Sequence, residues 1–266
     1  MDKKPKIMGI LNVTPDSFYD GGRYLDTDRA VERALQLKED GADIIDIGGE
    51  STRPGAEPVS AAEEMDRVCP VIQAVAGNAG VPVSVDTYKS DVADAALSAG
   101  ASIVNDISGL TFDSRMCGVV ARHNAGLVLM HIRGKPDSMQ DNTVYTDLTG
   151  EICEFLLSAC EKAKNCGISR DRIIVDPGIG FGKSLEDNYV ILNNLQVFRD
   201  LGYTLLIGLS RKSLVKVFGN GDRDTLAPTI ALNVYSVLNG ADIIRVHDVR
   251  EHRLALDSIE MLRKVS

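Results

Sequence analysis

Polar residues with the chemistry of an active site follow short aliphatic runs along the whole chain. At or just beyond these runs stand Asn12, Asp46 with Glu50-Ser51-Thr52-Arg53, Asp86, Asn105-Asp106, His131, Asp176, Ser210-Arg211-Lys212 and Arg245-Val246-His247-Asp248. A carboxylate can accept two N–H hydrogen bonds at once, and an amide adds both a donor and an acceptor. Asp86, Asn105 and Asp176 therefore predict a pocket for a heterocycle that carries amino and imino hydrogens.

The cations point to a second ligand group. Lys212 and the Arg245/His247 pair stand at the ends of late aliphatic runs, and Arg53 follows an early one. The chain as a whole is acidic, with 29 Lys+Arg, 38 Asp+Glu and a formal net charge of -9. A clustered basic surface for nucleic acid or an anionic membrane is thus not expected. These local cations instead predict a site for a phosphate-containing polyanion.

Several polar or aromatic residues have a structural interpretation beside the functional one. His131 could simply cap an aliphatic run by hydrogen bonding, and Asp106 could stabilise a turn. Asp43 and Asp46 could lie in an interior layer of side chains, or they could contact a helix. Phe181 could cover a flat ring or act as a buried anchor.

A repeated pattern indicates the elements that must position these groups. A glycine (Gly41, Gly100, Gly126 or Gly240) precedes a short aliphatic run and then a polar residue. Glycine in this place suits the left-handed conformation after a helix. A short continuous aliphatic run is typical of a strand in a buried parallel sheet. Eight strands are predicted, at about 6–11, 43–48, 82–86, 102–105, 127–131, 172–176, 204–209 and 242–247.

Helical segments lie between these runs. Ser60-x-x-Glu63 predicts a capping box that opens a helix at about 60–77, and Ser184 precedes a helix at about 185–201. Eight strands that alternate with helices in about 260 residues favour an α/β fold, a single-domain (β/α)8 TIM barrel over residues 1–266. Reacting groups of such barrels come from the C-terminal ends of the strands, where the polar residues stand.

The loops that follow the strands contain glycine and proline. The segment 178–184 (GIGFGKS) is not a P-loop, because Pro177 stands where that motif needs glycine. Its glycines instead predict a loop that passes close to a ligand or folds over itself. Segments 14–22 and 51–55 are candidate lids over the predicted mouth.

Cysteine usage and hydropathy bear on the compartment. The five cysteines at positions 69, 117, 153, 160 and 166 form no C-x-x-C pair, and we interpret them as free thiols in a reducing compartment. No apolar run approaches the ~18 residues of a membrane span, and no signal segment precedes the first strand. We expect a cytoplasmic protein without a membrane partner.

Seven segments of the sequence resemble the dihydropteroate synthase family in the family's order. They are 9–18 (GILNVTPDSF), 46–55 (DIGGESTRPG), 85–89 (VDTYK), 105–109 (NDISG), 176–183 (DPGIGFGK), 210–213 (SRKS) and 245–249 (RVHDV). The resemblance extends over nearly the whole chain. A small departure is Tyr19, where serine is common in the family.

The resemblance implies an activity. Family members join 6-hydroxymethyl-7,8-dihydropterin diphosphate to p-aminobenzoate, which gives 7,8-dihydropteroate and diphosphate. It also implies Mg²⁺, usually a homodimer, and sulfonamides as mimics of p-aminobenzoate. Because an aromatic amine is a poor nucleophile, early loss of diphosphate and a cationic pterin suit a site without a strong base.

The resemblance assigns roles to individual residues of this sequence. Asp86, Asn105, Asp176 and Lys212 match the pterin pocket, and Thr52 matches a ligand contact. Asn12, Arg245 and His247 match the positions that hold the diphosphate and its Mg²⁺, with Asn12 as the metal ligand. The p-aminobenzoate side is matched by Ser51, Arg53, Pro54, Phe181 and Ser213. Asp86, Asp176, Lys212, Arg245 and His247 form the expected catalytic set.

Three other functions remain open on the residues alone. A pterin-dependent methyltransferase on the same barrel needs no diphosphate clamp, which the Arg245/His247 pair and the 51–55 segment argue against. An aldolase would use Lys212 as a Schiff-base lysine, although Lys212 follows Arg211 in an expected loop. A non-catalytic pterin-binding subunit would keep the pocket without turnover.

Overall fold

The protein is a closed barrel of parallel strands surrounded by helices. A computed structural model describes residues 4–14, 23–52 and 57–264. Eight strands pair in chain order, and β1 also pairs with β8. Their bounds are β1 Lys6–Asn12, β2 Ile44–Gly48, β3 Val83–Asp86, β4 Ile103–Asp106, β5 Gly126–Met130, β6 Ile173–Asp176, β7 Thr204–Ile207 and β8 Ile243–Val246. The (β/α)8 barrel is therefore confirmed.

Helices cover the outside of the barrel. The described helices are α1 Arg23–Glu39, α2 Ala61–Asn78, α3 Ser90–Ser98, α4 Met116–Arg122, α5 Leu148–Asn165, α6 Leu185–Asn193, α7 Leu195–Arg199, α8 Ser213–Lys216, α9 Leu226–Leu238 and α10 Val249–Lys264. None of the helices in the described part of the chain is long and apolar enough to cross a membrane. The predicted helix at 185–201 is divided into α6 and α7 at Asn194, whose φ and ψ of -121° and 29° leave the helical region.

The two predicted helix starts differ in detail. Ser60 caps α2 by accepting a hydrogen bond from the Glu63 backbone. The Glu63 carboxylate, however, binds Arg67 at 2.5 Å, and no reciprocal bond to Ser60 accompanies it. The complete capping box lies at Ser184, where the third helical residue, Asp187, returns the bond. An arginine one turn further along α2 thus competes for the acid that the motif would use.

Strand alternation directs the site residues into the barrel. Met8, Ile44, Val128, Ile174, Leu206 and Ile243 form one inner apolar cluster, against which Ile103 packs. Because successive side chains of a strand point to opposite faces, residues two positions further along point inward as well. In β2, β4, β6 and β8 these next positions are Asp46, Asn105, Asp176 and Arg245. The mouth of the barrel is thus a layer of polar side chains, which lies on a layer of apolar side chains that fills the barrel interior.

The glycines before the strands follow the prediction at three of four positions. Gly41, Gly100 and Gly240 have φ of 104°, 116° and 109°. Gly126 is not among the left-handed residues; it is the first residue of β5, and Asn124 takes the left-handed conformation with φ of 51°. Asparagine tolerates this region better than other residues with a side chain, so it can end a helix in place of glycine.

The glycine-rich segment after β6 folds tightly against the segment after β5. Gly178 has φ of 71°, and a side chain on it would overlap the carbonyl oxygen of His131. Gly182 has φ of 66°, and its Cβ would lie 2.6 Å from the carbonyl oxygen of Arg133. Close approach of two backbones is therefore the reason for glycine at both positions. Of the two candidate lids, residues 15–22 and 53–56 lie outside the described residues.

The expectation of five free thiols is wrong for one pair. Cys117 of α4 and Cys166 at the end of α5 form a disulfide with a Cα–Cα distance of 6.1 Å. Cys69, Cys153 and Cys160 are free. The two bonded cysteines are 49 residues apart, and sequence spacing alone does not show that two helices bring such a pair together.

Candidate active site

The centre of the barrel mouth is an arginine held between two carboxylates. Arg245 donates from Nε to Oδ2 of Asp46 at 2.6 Å, and from a terminal nitrogen to Oδ2 of Asp86 at 2.6 Å. Asp46 is fully buried, and the Arg245 side chain is only 19% exposed. These contacts join β8 to β2 and β3. Asp46 is therefore a partner of an active-site cation, while Asp43 has the helix-facing role, because it binds Arg253 of α10 at 2.5 Å.

Burial changes the proton affinity of Asp86. Desolvation raises the pKa of its carboxyl to about 7, and the nearby Arg245 only partly opposes this rise. The charge of Asp46 adds to the upward shift. Asp86 thus lies close to its titration point at neutral pH.

Asn105 is oriented by the same cluster. Its amide nitrogen donates to Oδ2 of Asp46 at 3.2 Å, and the side chain is buried. The amide oxygen is then available as an acceptor for a ligand N–H group. Asn105 and Asp86 are also neighbours in the sheet, since their Cα atoms are partners between β3 and β4.

Asp176 stands across the mouth at the end of β6. Its Oδ1 accepts a hydrogen bond from the Gly178 backbone at 2.7 Å, and burial raises the pKa of the carboxyl. Gly208 follows β7 between Asp176 and Arg245, because a Cβ on it would lie within 3.9 Å of both side chains. Gly48 has the same relation to Asn12 and Asp86, at 3.8 Å or less. Two glycines thus leave space in the mouth for a flat ligand.

Lys212 reaches the mouth from the segment after β7. Its ammonium donates to the carbonyl oxygen of Ile179 at 2.6 Å and lies 4.5 Å from the centre of the Phe181 ring. Burial lowers the pKa of Lys212 to about 8, against the upward effect of Asp176. Phe181 is 9% exposed and packs with Ile107, Met130, Ile132 and Met139. Of its two interpretations, the buried anchor describes the structure.

His247 and Asn12 lie at the ends of β8 and β1. The hydroxyl of Ser210 lies 3.0 Å from Nδ1 of His247 and also accepts from the His247 backbone at 3.3 Å. Asn12 is the last residue of β1, half-buried beside the space left by Gly48. Both side chains belong to the same mouth as Arg245.

The remaining predicted ligand residues are less closely grouped. Ser51 and Thr52 follow β2 at the rim, and Ser213 is exposed at the start of α8. Arg53 and Pro54 lie outside the described residues. Asp106 takes its structural role, because it accepts hydrogen bonds from the backbones of Ser108 and Leu110, each at 2.8 Å.

His131 is a structural residue of the segment after β5. Its Nδ1 lies 2.9 Å from the ammonium of Lys183, which also donates to the backbone oxygen of Phe181 at 3.0 Å. Burial and the neighbouring cations lower the pKa of His131 to about 2, and burial lowers that of Lys183 well below its usual range. His131 is therefore neutral, and its contact with Lys183 holds the 178–183 segment in place.

Three residues of the site region, Asp46, Glu50 and Lys183, received no ligand or catalytic role from the sequence, although Asp46 and Glu50 are among the polar residues at the strand ends. The inward direction of Asp46 follows from alternation, because it shares the inward face of β2 with Ile44. Lys183 and Glu50 stand in motifs that were recognised, but their burial depends on segments distant in sequence. Their partners, His131 for Lys183 and Tyr88 for Glu50, carry no local signal of the pairing.

Comparison with known proteins identifies the class of this barrel. The sequence model of the family described as "Pterin binding enzyme" matches residues 8–247. A dihydropteroate synthase of Synechocystis is 47% identical over 249 residues, which are 93% of this chain and 86% of the relative. The fold and the mouth therefore define a pterin-binding enzyme.

Two solved structures narrow the class further. Dihydropteroate synthase of Clostridium difficile, crystallised in the presence of pteroic acid, has a TM-score of 0.92 at 43% identity and covers 98% of this chain and 97% of its own. The Xanthomonas albilineans enzyme with 4-aminobenzoic acid has a TM-score of 0.91 at 41% identity, with coverages of 98% and 93%. This chain belongs to the dihydropteroate synthase family, whose members are transferases.

The buried arginine pair predicts a large stability effect at Asp46. Asp46→Ala leaves the Nε of Arg245 and the amide of Asn105 without their carboxylate, and we expect the free energy of unfolding to fall by about 3 kcal/mol. Asp257→Ala removes an exposed carboxylate that binds Lys4 at 3.2 Å, and should cost less than about 1 kcal/mol. Urea unfolding of both variants measures the difference. Equal losses of unfolding free energy would show that the buried Asp46–Arg245 pair contributes no more stability than an exposed ion pair.

Proposed function

We propose that this chain condenses 6-hydroxymethyl-7,8-dihydropterin diphosphate with p-aminobenzoate to give 7,8-dihydropteroate and diphosphate. The observation that carries the proposal is the convergence of Asp86, Asn105 and Asp176 with Lys212 and Arg245 in one mouth. Inward-facing acceptors suit the amino and imino hydrogens of a pterin ring. The relatives crystallised in the presence of pteroic acid and with 4-aminobenzoic acid support a pterin and an aromatic amine as substrates of this chain.

The reaction exchanges one bond at the pterin methylene. The C–O bond to the diphosphate breaks, and its electron pair leaves with the diphosphate oxygen. The amine nitrogen forms the new C–N bond with its lone pair, and the proton that nitrogen then loses ends in solvent. Because the aromatic amine is weakly nucleophilic, charge separation before attack lowers the barrier most.

The residues of the mouth favour that charge separation. Asp86 and Asp176 are buried carboxylates that stabilise positive charge on the ring and fix its orientation. Lys212 provides a cation 4.5 Å from the centre of the Phe181 ring. The family resemblance assigns this side of the mouth to p-aminobenzoate, so the pterin methylene and the amine would meet there. His247 with Ser210, and the part of Arg245 not used by Asp46 and Asp86, offer donors to the diphosphate.

The residues present also fit a Mg²⁺ that arrives with the diphosphate. Such an ion keeps waters and substrate phosphates and needs only one or two protein oxygens. Asn12 offers an amide oxygen at the mouth, and no group of three His, Cys, Asp or Glu converges among the described residues. When bound, Mg²⁺ would neutralise charge on the departing diphosphate.

We also propose a homodimer, as the family resemblance implies. A groove between α6 and α9 is lined mainly by apolar and aromatic side chains, including Tyr189, Val190, Leu232 and Tyr235. Of these lining residues, Val190 and Tyr235 are 40% and 39% exposed. A contiguous exposed apolar patch is typical of a protein interface.

The proposed location is the cytoplasm. The three free cysteines are typical of a reducing compartment, whereas the Cys117–Cys166 disulfide is not.

The competing functions make different demands on this site. A methyltransferase needs no second amine substrate, and an aldolase would show a Schiff base at Lys212 that borohydride traps with a carbonyl substrate. The lowered pKa of Lys212 would suit such a base, but the family assignment favours the synthase.

The decisive assay measures diphosphate release by purified protein with the pterin diphosphate and Mg²⁺, with and without p-aminobenzoate, and reads the product mass in parallel. Release that depends on the amine, with a dihydropteroate mass, is expected. Release without that product would indicate an ionising site without a competent amine pocket. No release despite measurable pterin binding would favour the methyltransferase or the binding subunit.

Loss of a charged group in the mouth should reduce turnover strongly. We expect Asp176→Ala or Lys212→Ala to lower kcat/KM by 10²-fold or more, roughly 2.7 kcal/mol, as for loss of a preorganised electrostatic group. Steady-state kinetics with both substrates varied measures the effect. Near-normal turnover by both variants would contradict the assigned roles.

The shifted pKa values predict a narrow pH optimum. Asp86 must be ionised, so activity rises as pH increases through its pKa of about 7. Lys212 must be protonated, so activity falls as pH increases through its pKa of about 8. A bell-shaped profile of kcat/KM is expected. In Lys212→Arg the alkaline limb should move to higher pH, because guanidinium stays protonated; a limb that stays near pH 8 would assign it to another group.

Charge in the α6–α9 groove should dissociate the dimer. The double variant Val190→Asp, Tyr235→Asp places two carboxylates in the groove, and we expect a monomer in sedimentation velocity at micromolar concentration. Val144→Asp is the control, since Val144 is 78% exposed and lies before α5. A double variant that still dimerises would show that the interface lies elsewhere. A wild type that is a monomer would contradict the proposed homodimer.

A further inference from the structure

A cluster of four polar side chains lies beside the mouth, and the mechanism does not use it. It consists of Glu50, which follows β2, Tyr88 and Lys89, which follow β3, and Glu64 of α2. The Tyr88 hydroxyl donates to Oε1 of Glu50 at 2.6 Å. The Lys89 ammonium binds Glu50 and lies 2.5 Å from Oε2 of Glu64. We call this group the Glu50 cluster.

The cluster is withdrawn from solvent. The side chains of Glu50 and Glu64 are 8% and 1% exposed, and that of Lys89 is 18% exposed. Burial raises the pKa of Glu64, while Lys89 opposes that rise. Groups buried to this extent are costly unless they are paired, so the geometry of the cluster is strongly constrained.

Glu50 also ties both ends of the loop that joins β2 to α2. Its own backbone begins this loop, and its Oε2 accepts a hydrogen bond from the backbone of Val59 at 3.4 Å. Arg67 of α2 adds a bond to the carbonyl oxygen of Gly49 at 2.8 Å. The described residues Glu50 and Val59, on either side of residues 51–58, are therefore linked to each other by a side chain.

Tyr88 connects this loop base to the opposite wall of the mouth. Its ring contacts Phe112 edge-on, with centroids 5.5 Å apart, and packs on the apolar cluster that contains Phe181. Tyr88 also follows Asp86 by two residues. The hydrogen bond from the Tyr88 hydroxyl to Glu50 thus connects two parts of the mouth. One part contains Asp86 and the apolar cluster around Phe181, and the other is the base of the loop that begins with Ser51 and Thr52.

We propose that Tyr88 and Glu50 are positioning residues for p-aminobenzoate, which set the amine affinity through the base of the β2–α2 loop. This inference rests on the proposed function, in which residues of that loop form the amine side. Neither residue touches the pterin pocket groups Asn105, Asp176 or Lys212 in the contacts described above. Their removal should therefore affect the amine and leave the pterin.

Tyr88→Phe tests the proposal with the smallest possible change. The variant keeps the ring contact with Phe112 and loses only the bond to Glu50. We expect the KM for p-aminobenzoate to rise about 5–10-fold, with kcat within about 2-fold, because the lost hydrogen bond is made to a carboxylate and acts on the amine side through the loop base. The Kd for 6-hydroxymethyl-7,8-dihydropterin, measured by calorimetry without amine, should stay within about 2-fold.

Tyr203→Phe is the matched control. Tyr203 is mostly buried just before β7, at the end of the barrel opposite the mouth, and should change neither constant. Glu50→Gln keeps an acceptor for Tyr88 but loses the charge that binds Lys89, so we expect at least the same rise in the amine KM.

The outcomes separate the two proposals. An unchanged amine KM in Tyr88→Phe, with an active wild type, would overturn the positioning role alone. Equal weakening of pterin and amine would also overturn it, because it would show a general structural effect. A wild type without amine-dependent diphosphate release would overturn the proposed function and this inference with it.

Discussion

The mouth of this barrel depends on one buried arginine. Arg245 pairs with two buried carboxylates, Asp46 and Asp86, and removing any one of the three charges would leave a buried charge without its full compensation. The contact also fixes relative positions, because the three residues come from β8, β2 and β3. Asn105 then takes its orientation from Asp46. The positions of the hydrogen-bond acceptors that face a ligand are thus set by this ion pair.

Most of the architecture could be predicted from local sequence. The eight aliphatic runs agree with the strands to within about two residues, because a parallel strand buried on both faces needs a continuous run. Where the prediction of an element boundary or cap is wrong, a nearby residue takes the predicted role or the predicted partner. Asn124 rather than Gly126 ends the helix before β5, Asn194 divides one predicted helix, and Arg67 takes the acid expected to cap α2. Each alternative was chemically available in the sequence, and tertiary packing selected it.

The site was predictable in its residue types and less so in its contacts. Strand ends and alternation place Asp86, Asn105, Asp176 and Arg245 in one mouth. They do not show that Arg245 would be divided between two acids, which requires distances across the barrel. The Cys117–Cys166 disulfide and the Glu50–Lys89 pair fail to appear in the sequence for the same reason, since each joins segments whose proximity only the closed fold creates.

The raised proton affinities of the mouth have a direct meaning for catalysis. Burial makes ionised Asp86 and Asp176 costly, and a bound proton relieves that cost, so their pKa values rise. A positive charge that develops on a pterin held between them relieves the same cost. The cation that forms as the diphosphate leaves would therefore be stabilised by the ionised forms of both carboxylates. Arg245 and Lys212 oppose the rise in both pKa values, and so help to keep negative charge in the mouth that attracts the cation.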